Sequence, residues 1–281
     1  MNYRHAFHAG NFADVFKHAL LARILVYLTR KDAPLRYLDT HAGIGRYDLA
    51  GAEAQRTGEW RGGVARVLLA QKPPQIAELL APWLTVVGPG DAEGRPQVYP
   101  GSPAIAQALL RKQDRLTLCE LHPQDHRALV AALGRDRRAK ALQIDGYMAL
   151  RAYTPPVERR GLVLVDPPFE AVDEFARLAE HALTAWRKWP TGVYALWHPI
   201  KDASAVDDMY ARLLGAGVTR LLRLELALAA PTRDGRLAGT GLALINPPHV
   251  LADEARALLP WLAATMAPPG QAGRTRIESY G

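Results

Sequence analysis

Four consecutive residues, Asp166-Pro167-Pro168-Phe169, directly follow the apolar run Leu162-Val163-Leu164-Val165. Their types suit one task, the handling of a planar group that carries an NH2. The lone pair of such an amine, as on adenine, is delocalised into the ring, which makes it a poor nucleophile. Two acceptors on its two hydrogens draw the nitrogen towards a tetrahedral geometry and aim the lone pair out of the ring plane. The Asp166 carboxylate can supply one acceptor and the Pro167 carbonyl the other. Pro168 stiffens the turn, and Phe169 offers a flat face on which a base can stack, an interaction worth about 1–3 kcal/mol. A carboxylate is too weak a base to deprotonate a neutral amine beforehand. Asp166 is therefore expected to orient and polarise, with proton loss accompanying or following transfer.

The elements around this turn must place it at a ligand. The run 162–165 reads as a fully buried strand. Two prolines cannot continue its ladder, because neither has an N–H to donate. The turn therefore projects from the strand's carboxyl end, where open α/β sheets bind ligands. The bland alternative is a strand-terminating turn with an Asp N-cap. Residues 35–40 read as a first strand running into His41-Ala42-Gly43-Ile44-Gly45, whose glycines let backbone approach a ligand. Residues 116–120 read as the next strand, with Glu120 at its carboxyl end, where dinucleotide-type sheets hold ribose hydroxyls. The gap from Gly45 to Glu120 is 75 residues (120 − 45), so an insertion is required, and residues 52–98 supply it with helical patterns near 64–70 and 76–84. Ser102-Pro103 then opens a helix with Ser102 as expected N-cap, a helix start able to bind a carboxylate. A strand over 141–144 ends at Asp145-Gly146, which is a common turn dipeptide and equally an acceptor for a purine amine. Further strands are expected at 193–197, 221–228 and 242–245, with helices over 124–133, 172–186 and 203–214 between them. This gives a mostly parallel seven-stranded sheet covered by helices on both faces. A second Pro-Pro turn, Asn246-Pro247-Pro248-His249, lacks the flat apolar ring and is followed by 32 residues (281 − 249), too few for the rest of a sheet. It reads as a structural strand end.

Strand–acid–Gly-x-Gly, Glu120 after strand two, Asp145-Gly146 after strand three and Asp166-Pro167-Pro168-Phe169 after strand four together resemble the S-adenosylmethionine-dependent amino methyltransferases. Five further stretches resemble the RlmJ family: Tyr3 to Asn11, Ala13-Asp14-Val15 with Lys17-His18, Leu38 to Gly43, Tyr99-Pro100-Gly101-Ser102-Pro103 and Glu120-Leu121-His122-Pro123. The resemblance covers nearly the whole chain. It implies a Rossmann-like class I methyltransferase core, residues 1–51 and 99–281, with an N-terminal substrate and cofactor motif over 1–18 and a small helical subdomain over 52–98. The implied activity is methylation of N6 of one adenine in 23S ribosomal RNA. The implied contacts to S-adenosylmethionine are His18, His41, Ser102, Glu120, Asp145, Gly146 and Asp166, with Gly43 in the close-approach loop. Tyr3 is implied near the substrate base. Relatives often carry Tyr where this chain has Phe169, so stacking is kept without the hydroxyl.

Composition narrows the alternatives. Net charge is +7 with a pI of about 9.6, which favours a polyanionic partner. Arginine outnumbers lysine 28 to 7, either because guanidinium forks suit phosphates or through genome base composition. The lone Cys119 excludes a disulfide framework or a Cys-based metal site, and it lies within a strand, which disfavours cytosine C5 chemistry through a cysteine nucleophile. His5-x-x-His8 near His18 and His41 lacks supporting ligands, so no metal is expected. With no signal core and no membrane-length apolar run, the chain is expected in the cytoplasm, as a monomer. DNA adenine, guanine N2 and a protein glutamine remain open as acceptors, DNA adenine foremost. An inactive basic RNA-binding module of the same fold is the alternative of a different class.

Overall fold

The structure, a computed structural model, describes residues 4–229 and 237–281. Tyr3 lies outside the described residues. Eight strands form one sheet: β1 Arg36–Asp39, β4 Arg115–Cys119, β5 Ala139–Leu142, β6 Gly161–Val165, β7 Val193–Ile200, β8 Leu221–Ala227, β9 Gly239–Ile245 and β10 Arg274–Tyr280. A second, two-stranded pairing joins β2 Arg46–Tyr47 to β3 Tyr99–Pro100. The helices are α1 Phe12–Thr29, α2 Ala52–Thr57, α3 Val64–Leu69, α4 Pro74–Val87, α5 Ser102–Leu109, α6 Pro123–Leu133, α7 Gly146–Ala152, α8 Glu174–Lys188, α9 Ala203–Gly215 and α10 Leu251–Met266. The sheet order is β10-β8-β9-β7-β6-β1-β4-β5. Pairing is parallel from β7 through β6, β1 and β4 to β5, and antiparallel among β7, β9, β8 and β10.

Strand periodicity divides the core. Leu162 and Leu164 of β6, with Tyr37 of β1, face a cluster that includes Phe16, Leu20 and Ile24 of α1, Trp83 of α4, Ile105 of α5 and Leu259 of α10. Val163 and Val165 face the opposite way, onto Leu178 and Ala182 of α8 and Met209 of α9. Alternate side chains of one strand thus serve two layers, as a pleat requires.

Among the described residues the sheet has eight strands rather than the expected seven. The missed strand, β10, carries Arg274, Arg276 and Glu278 at alternate positions, so it has no apolar run to betray it. Charge is tolerated because it is an edge strand. The residues after His249 therefore do complete the sheet, through α10 and β10. The third strand sits two residues earlier than expected, over Ala139–Leu142. It pairs only with β4 and is partly exposed, so its apolar pattern does not track its ladder. β7 runs past Trp197 to Ile200. Pro199 is tolerated because, among the described residues, β9 is the one strand that pairs with β7 there.

Ser102 is not an N-cap. Gly101 holds that position, and the Ser102 hydroxyl donates to Asp39 Oδ2 at 2.7 Å. A buried carboxylate competes for the hydroxyl more strongly than an amide at a helix end. The second Pro-Pro turn follows β9, which runs antiparallel to β7, so it emerges at the opposite edge of the sheet from Asp166. Asn246 takes φ 55° and donates to the Pro190 and Gly192 carbonyls at 2.7 and 2.8 Å. It is a structural strand end, as expected.

The chain between Tyr47 and Tyr99 leaves and re-enters the fold at the β2–β3 pairing. Its helices pack inward, with Trp60 and Trp83 fully buried. Gly63 lies so close to the N-terminal segment that a Cβ would come within 2.2 Å of the Gly10 carbonyl oxygen. Among the described residues no helix is long and apolar enough to cross a membrane.

Candidate active site

A cavity of about 1060 Å3 opens along the carboxyl edge of β4, β1, β6 and β7. It is lined by His18, His41, Gly43, Ser102, Glu120, Asp145, Gly146, Asp166, Pro167, Pro168 and Phe169. Every site residue expected from the sequence that falls within the described residues meets here. Pockets for one small ligand run to roughly 300–1,000 Å3, so this cavity has room for a nucleoside cofactor and a second planar group.

One half is an acid-lined cradle. Glu120, buried, accepts from the Gly43 N–H at 3.0 Å and the His122 N–H at 2.8 Å. Those bonds fix the carboxylate while leaving lone pairs for ribose hydroxyls, and burial raises its pKa. Asp145 Oδ1 accepts from the Tyr147 and Met148 N–H groups, both at 3.0 Å, capping α7. The turn role and the ligand role are therefore compatible, since Oδ2 is spared. Gly43 adopts φ 62°, and a Cβ there would fall 2.3 Å from the Tyr47 hydroxyl. Beneath the loop, Asp39 takes hydrogen bonds from Tyr37, Ser102 and the His41 N–H. Burial lifts its pKa to about 6. These donor sets and close approaches fit S-adenosylmethionine, with Glu120 and Asp145 as the acids that would hold its nucleoside part.

At Gly146 an added Cβ would lie 2.4 Å from the Thr40 carbonyl oxygen and 2.6 Å from the His41 ring. Gly146→Ala must displace backbone, an overpacking that typically costs about 1–3 kcal/mol. We expect S-adenosylmethionine to bind more than tenfold more weakly to this variant, with a lower Tm, as read by calorimetry and thermal unfolding. Undiminished affinity would remove Gly146 from the cradle.

The other half is the turn. β6 ends at Val165, and Asp166 follows with its side chain 16% exposed. Phe169 holds φ 52°, and its ring meets Phe175 edge-on at 4.8 Å and Trp197 at 5.7 Å. Among the described residues no group donates to the Pro167 carbonyl.

Lys17, named from the sequence only within the Lys17-His18 stretch of the resemblance and given no role there, lies at the centre of the site. Its ammonium donates to Asp166 Oδ2 at 2.5 Å and contacts Asp14 Oδ1 at 3.2 Å, 5.5 Å over the Trp197 ring. Burial alone would lower its pKa, but the two carboxylates outweigh burial and raise it. Asp14 is further held by His5 Nε2 and the Gly10 N–H, both at 2.9 Å. Burial pushes Asp14 up, yet His5 and Lys17 bring it well below the ordinary carboxylate range. The signal was present: Asp14 and Lys17 sit i,i+3 on a helix otherwise buried from Ala13 to Leu25. Buried charges at that spacing imply partners.

The histidines are not grouped as ligands. His5 turns to Asp14, His8 Nδ1 meets Glu59 at 3.0 Å, and His18 Nδ1 meets the Tyr99 hydroxyl at 2.9 Å. Among the described residues no cluster of three or more His, Cys, Asp or Glu could hold a metal. Cys119 is buried, and burial pushes its thiol up to about 12.

Burial lowers His18 and His198 to about 3 each. A histidine whose folded pKa lies below its unfolded value, about 6.5, adds stability above that value and loses it as pH falls towards the folded one. Asp39, raised to about 6, works in the opposite sense: its contribution is present at low pH and is lost as pH rises through that value. His198 is 0% exposed and away from the cavity, with Nε2 3.2 Å from the Tyr210 hydroxyl. Between pH 6 and 4, urea unfolding of His198→Asn should therefore show a pH slope shallower than wild type by about 1.4 kcal/mol per pH unit. Identical slopes would mean that His198 takes up its proton in the fold.

Comparison with known proteins places nearly the whole chain in one family. The family model described as Ribosomal RNA large subunit methyltransferase D, RlmJ, matches residues 32–278. The chain is similar to the ribosomal RNA large subunit methyltransferase J of Escherichia coli, 41% identical over 270 residues that cover 96% of this chain and 95% of that one. The protein of the same name from Haemophilus influenzae is 36% identical over the same coverage. A crystal structure of a Legionella pneumophila protein superposes with a TM-score of 0.87 at 34% identity, covering 98% of this chain and 99% of that one.

Proposed function

The chain belongs to the RlmJ family of ribosomal RNA large subunit methyltransferases, and from that premise we propose that it methylates the exocyclic N6 of one adenine in 23S ribosomal RNA. It is an S-adenosylmethionine-dependent enzyme with the α/β methyltransferase fold expected from its sequence. Bound S-adenosylmethionine supplies an electrophilic methyl group. The chain's own residues then have to bring an unreactive amine into line with it, and alignment of that kind is worth several kcal/mol.

The observation that carries the reading is the continuity of one cavity from Gly43, Glu120 and Asp145 to Asp166 and the Pro167 carbonyl. In this reading Asp166 and Pro167 take the two amine hydrogens. Phe169, braced by Phe175 and Trp197, presents its ring to the base. Lys17 holds the Asp166 carboxylate in place through Oδ2, which directs Oδ1 to the amine. After transfer the nitrogen is acidic, and Asp166 is positioned to take its proton. An adenine in a stem must leave its stack to reach this depth, at a cost of a few kcal/mol, so loosely structured RNA is the better substrate. Residues 52–98 form, in this proposal, a helical insertion that borders the RNA.

The test is incubation with labelled S-adenosylmethionine and 23S ribosomal RNA from cells lacking this protein, beside RNA from cells that have it and duplex DNA. Label should enter only the unmodified RNA. Preferential labelling of duplex DNA would move the assignment to a DNA adenine methyltransferase, and absence of cofactor binding would favour an inactive RNA-binding module.

A further inference from the structure

We infer that Lys201, at the rim of the cavity, grips a backbone phosphate of the substrate RNA beside the extruded adenosine. This rests on the functional reading above and extends it to how the RNA is held. Three lysine or arginine residues line the cavity among the described residues: Lys17, Arg66 and Lys201. Lys17 is consumed by Asp14 and Asp166. Arg66 is consumed by the Met266 and Ala267 carbonyls, at 2.9 and 2.5 Å. Lys201 is exposed and makes no ion pair with the described residues.

Its position follows from the sheet register. β7 pairs with β6 only as far as Leu196, opposite Val165, but continues along β9 to Ile200. Trp197 is therefore level with Asp166, and Trp197 to Ile200 rise as a wall beside the turn. Lys201 stands four residues beyond Trp197, roughly 13 Å up that wall at ~3.3 Å per residue. A base seated amine-first on Asp166 leads its ribose and phosphates out along the same wall. The acids near the rim are already engaged: Glu59 with His8 and Asn11, and Glu170 with an interaction of its own. His8 across the mouth is raised above its ordinary pKa chiefly by its bond to Glu59, and the positive charge of Lys201 is near enough to oppose that rise. A flexible ammonium there suits a phosphate, which it binds as a point charge.

Each phosphate neutralised on a single strand contributes about 0.7 to the slope of log affinity against log salt. The experiment measures binding of unmodified, in vitro transcribed 23S ribosomal RNA to wild type, Lys201→Gln and Lys201→Arg from 50 to 200 mM salt. Calorimetry with S-adenosylmethionine checks that the cradle of each variant is intact. Lys201→Gln should bind more weakly at 50 mM, with a slope smaller by about 0.7, so that its deficit shrinks about threefold by 200 mM. Lys201→Arg should keep the wild-type slope. Equal slopes for wild type and Lys201→Gln overturn the inference alone. A wild-type chain that neither binds nor methylates the transcript overturns the functional reading and this inference with it.

Discussion

Asp166→Ala should lower the rate of methyl transfer by about 10²–10⁴-fold, the range for a positioned acid–base group, while S-adenosylmethionine affinity stays within about tenfold, ~1.4 kcal/mol. The two effects separate because the carboxylates sit on different sides of the cavity. Glu120 and Asp145 are fixed by backbone N–H groups that the substitution does not touch. Asp166 is held by Lys17 alone among the described residues, and in the proposed mechanism its other oxygen faces the amine. Asp166→Asn keeps the shape and one acceptor but loses the charge, so its rate should fall between Ala and wild type. Single-turnover transfer from labelled cofactor to unmodified 23S ribosomal RNA reads the step directly. Wild-type turnover in Asp166→Ala would rule out the role assigned to this carboxylate.

Lys17→Met should damage both folding and rate. The side chain is 5% exposed and bridges two acids from different elements, Asp14 on α1 and Asp166 after β6. Removing the cation leaves carboxylates facing one another with little water, and breaking a buried pair in this way costs about 3–5 kcal/mol. Tm should fall by about 2–4 °C for each kcal/mol. The pH dependence has a definite sign. Asp14 is held well below the ordinary carboxylate range, in part by Lys17. Its contribution is present above that range and is lost as pH falls through the folded value. Without Lys17 part of that contribution disappears, so the difference between the two proteins should be larger at neutral pH than in acid. Lys17→Arg keeps the charge and should retain much of the stability, and the rate should recover only if the longer fork still places Asp166. A Tm within a degree of wild type, together with unchanged turnover, would contradict the bridge.

What the sequence made legible was whatever local chemistry punctuates. Two prolines after an apolar run end a strand in any context, and β6 stops at Val165 as expected. Acids at strand ends were readable in the same way, because a charge after a buried run must emerge at an edge. The relations made by tertiary packing were not legible. Ser102 looked like a cap from its neighbours alone, and only the fold brings Asp39 to it. β10 is held by its ladder to β8 rather than by apolar side chains. The second Pro-Pro turn, at Asn246, could be set aside for its missing flat apolar ring, but the shortness of the chain after it misled, since α10 and β10 follow. Part of the charge has a structural use. Arg111, Arg138 and Arg160 donate to carbonyls in loops and in the last turns of helices, such as those of Lys31, Gln107 and Leu28, and Arg223 is buried between Asp207 and Glu225. These four arginines therefore hold helix ends, loops and strands together.

Nucleoside analysis of the labelled product tests most directly whether the Asp166 turn presents an adenine amine to the methyl donor. Unmodified 23S ribosomal RNA is treated with wild-type protein and labelled S-adenosylmethionine, digested completely and resolved by mass spectrometry. The label should reside in N6-methyladenosine alone. Label in a C5-methylated cytidine, in a ribose methyl group or on a ring nitrogen would contradict the account, because none of those acceptors offers two amine hydrogens to Asp166 and Pro167 with the nitrogen itself as nucleophile.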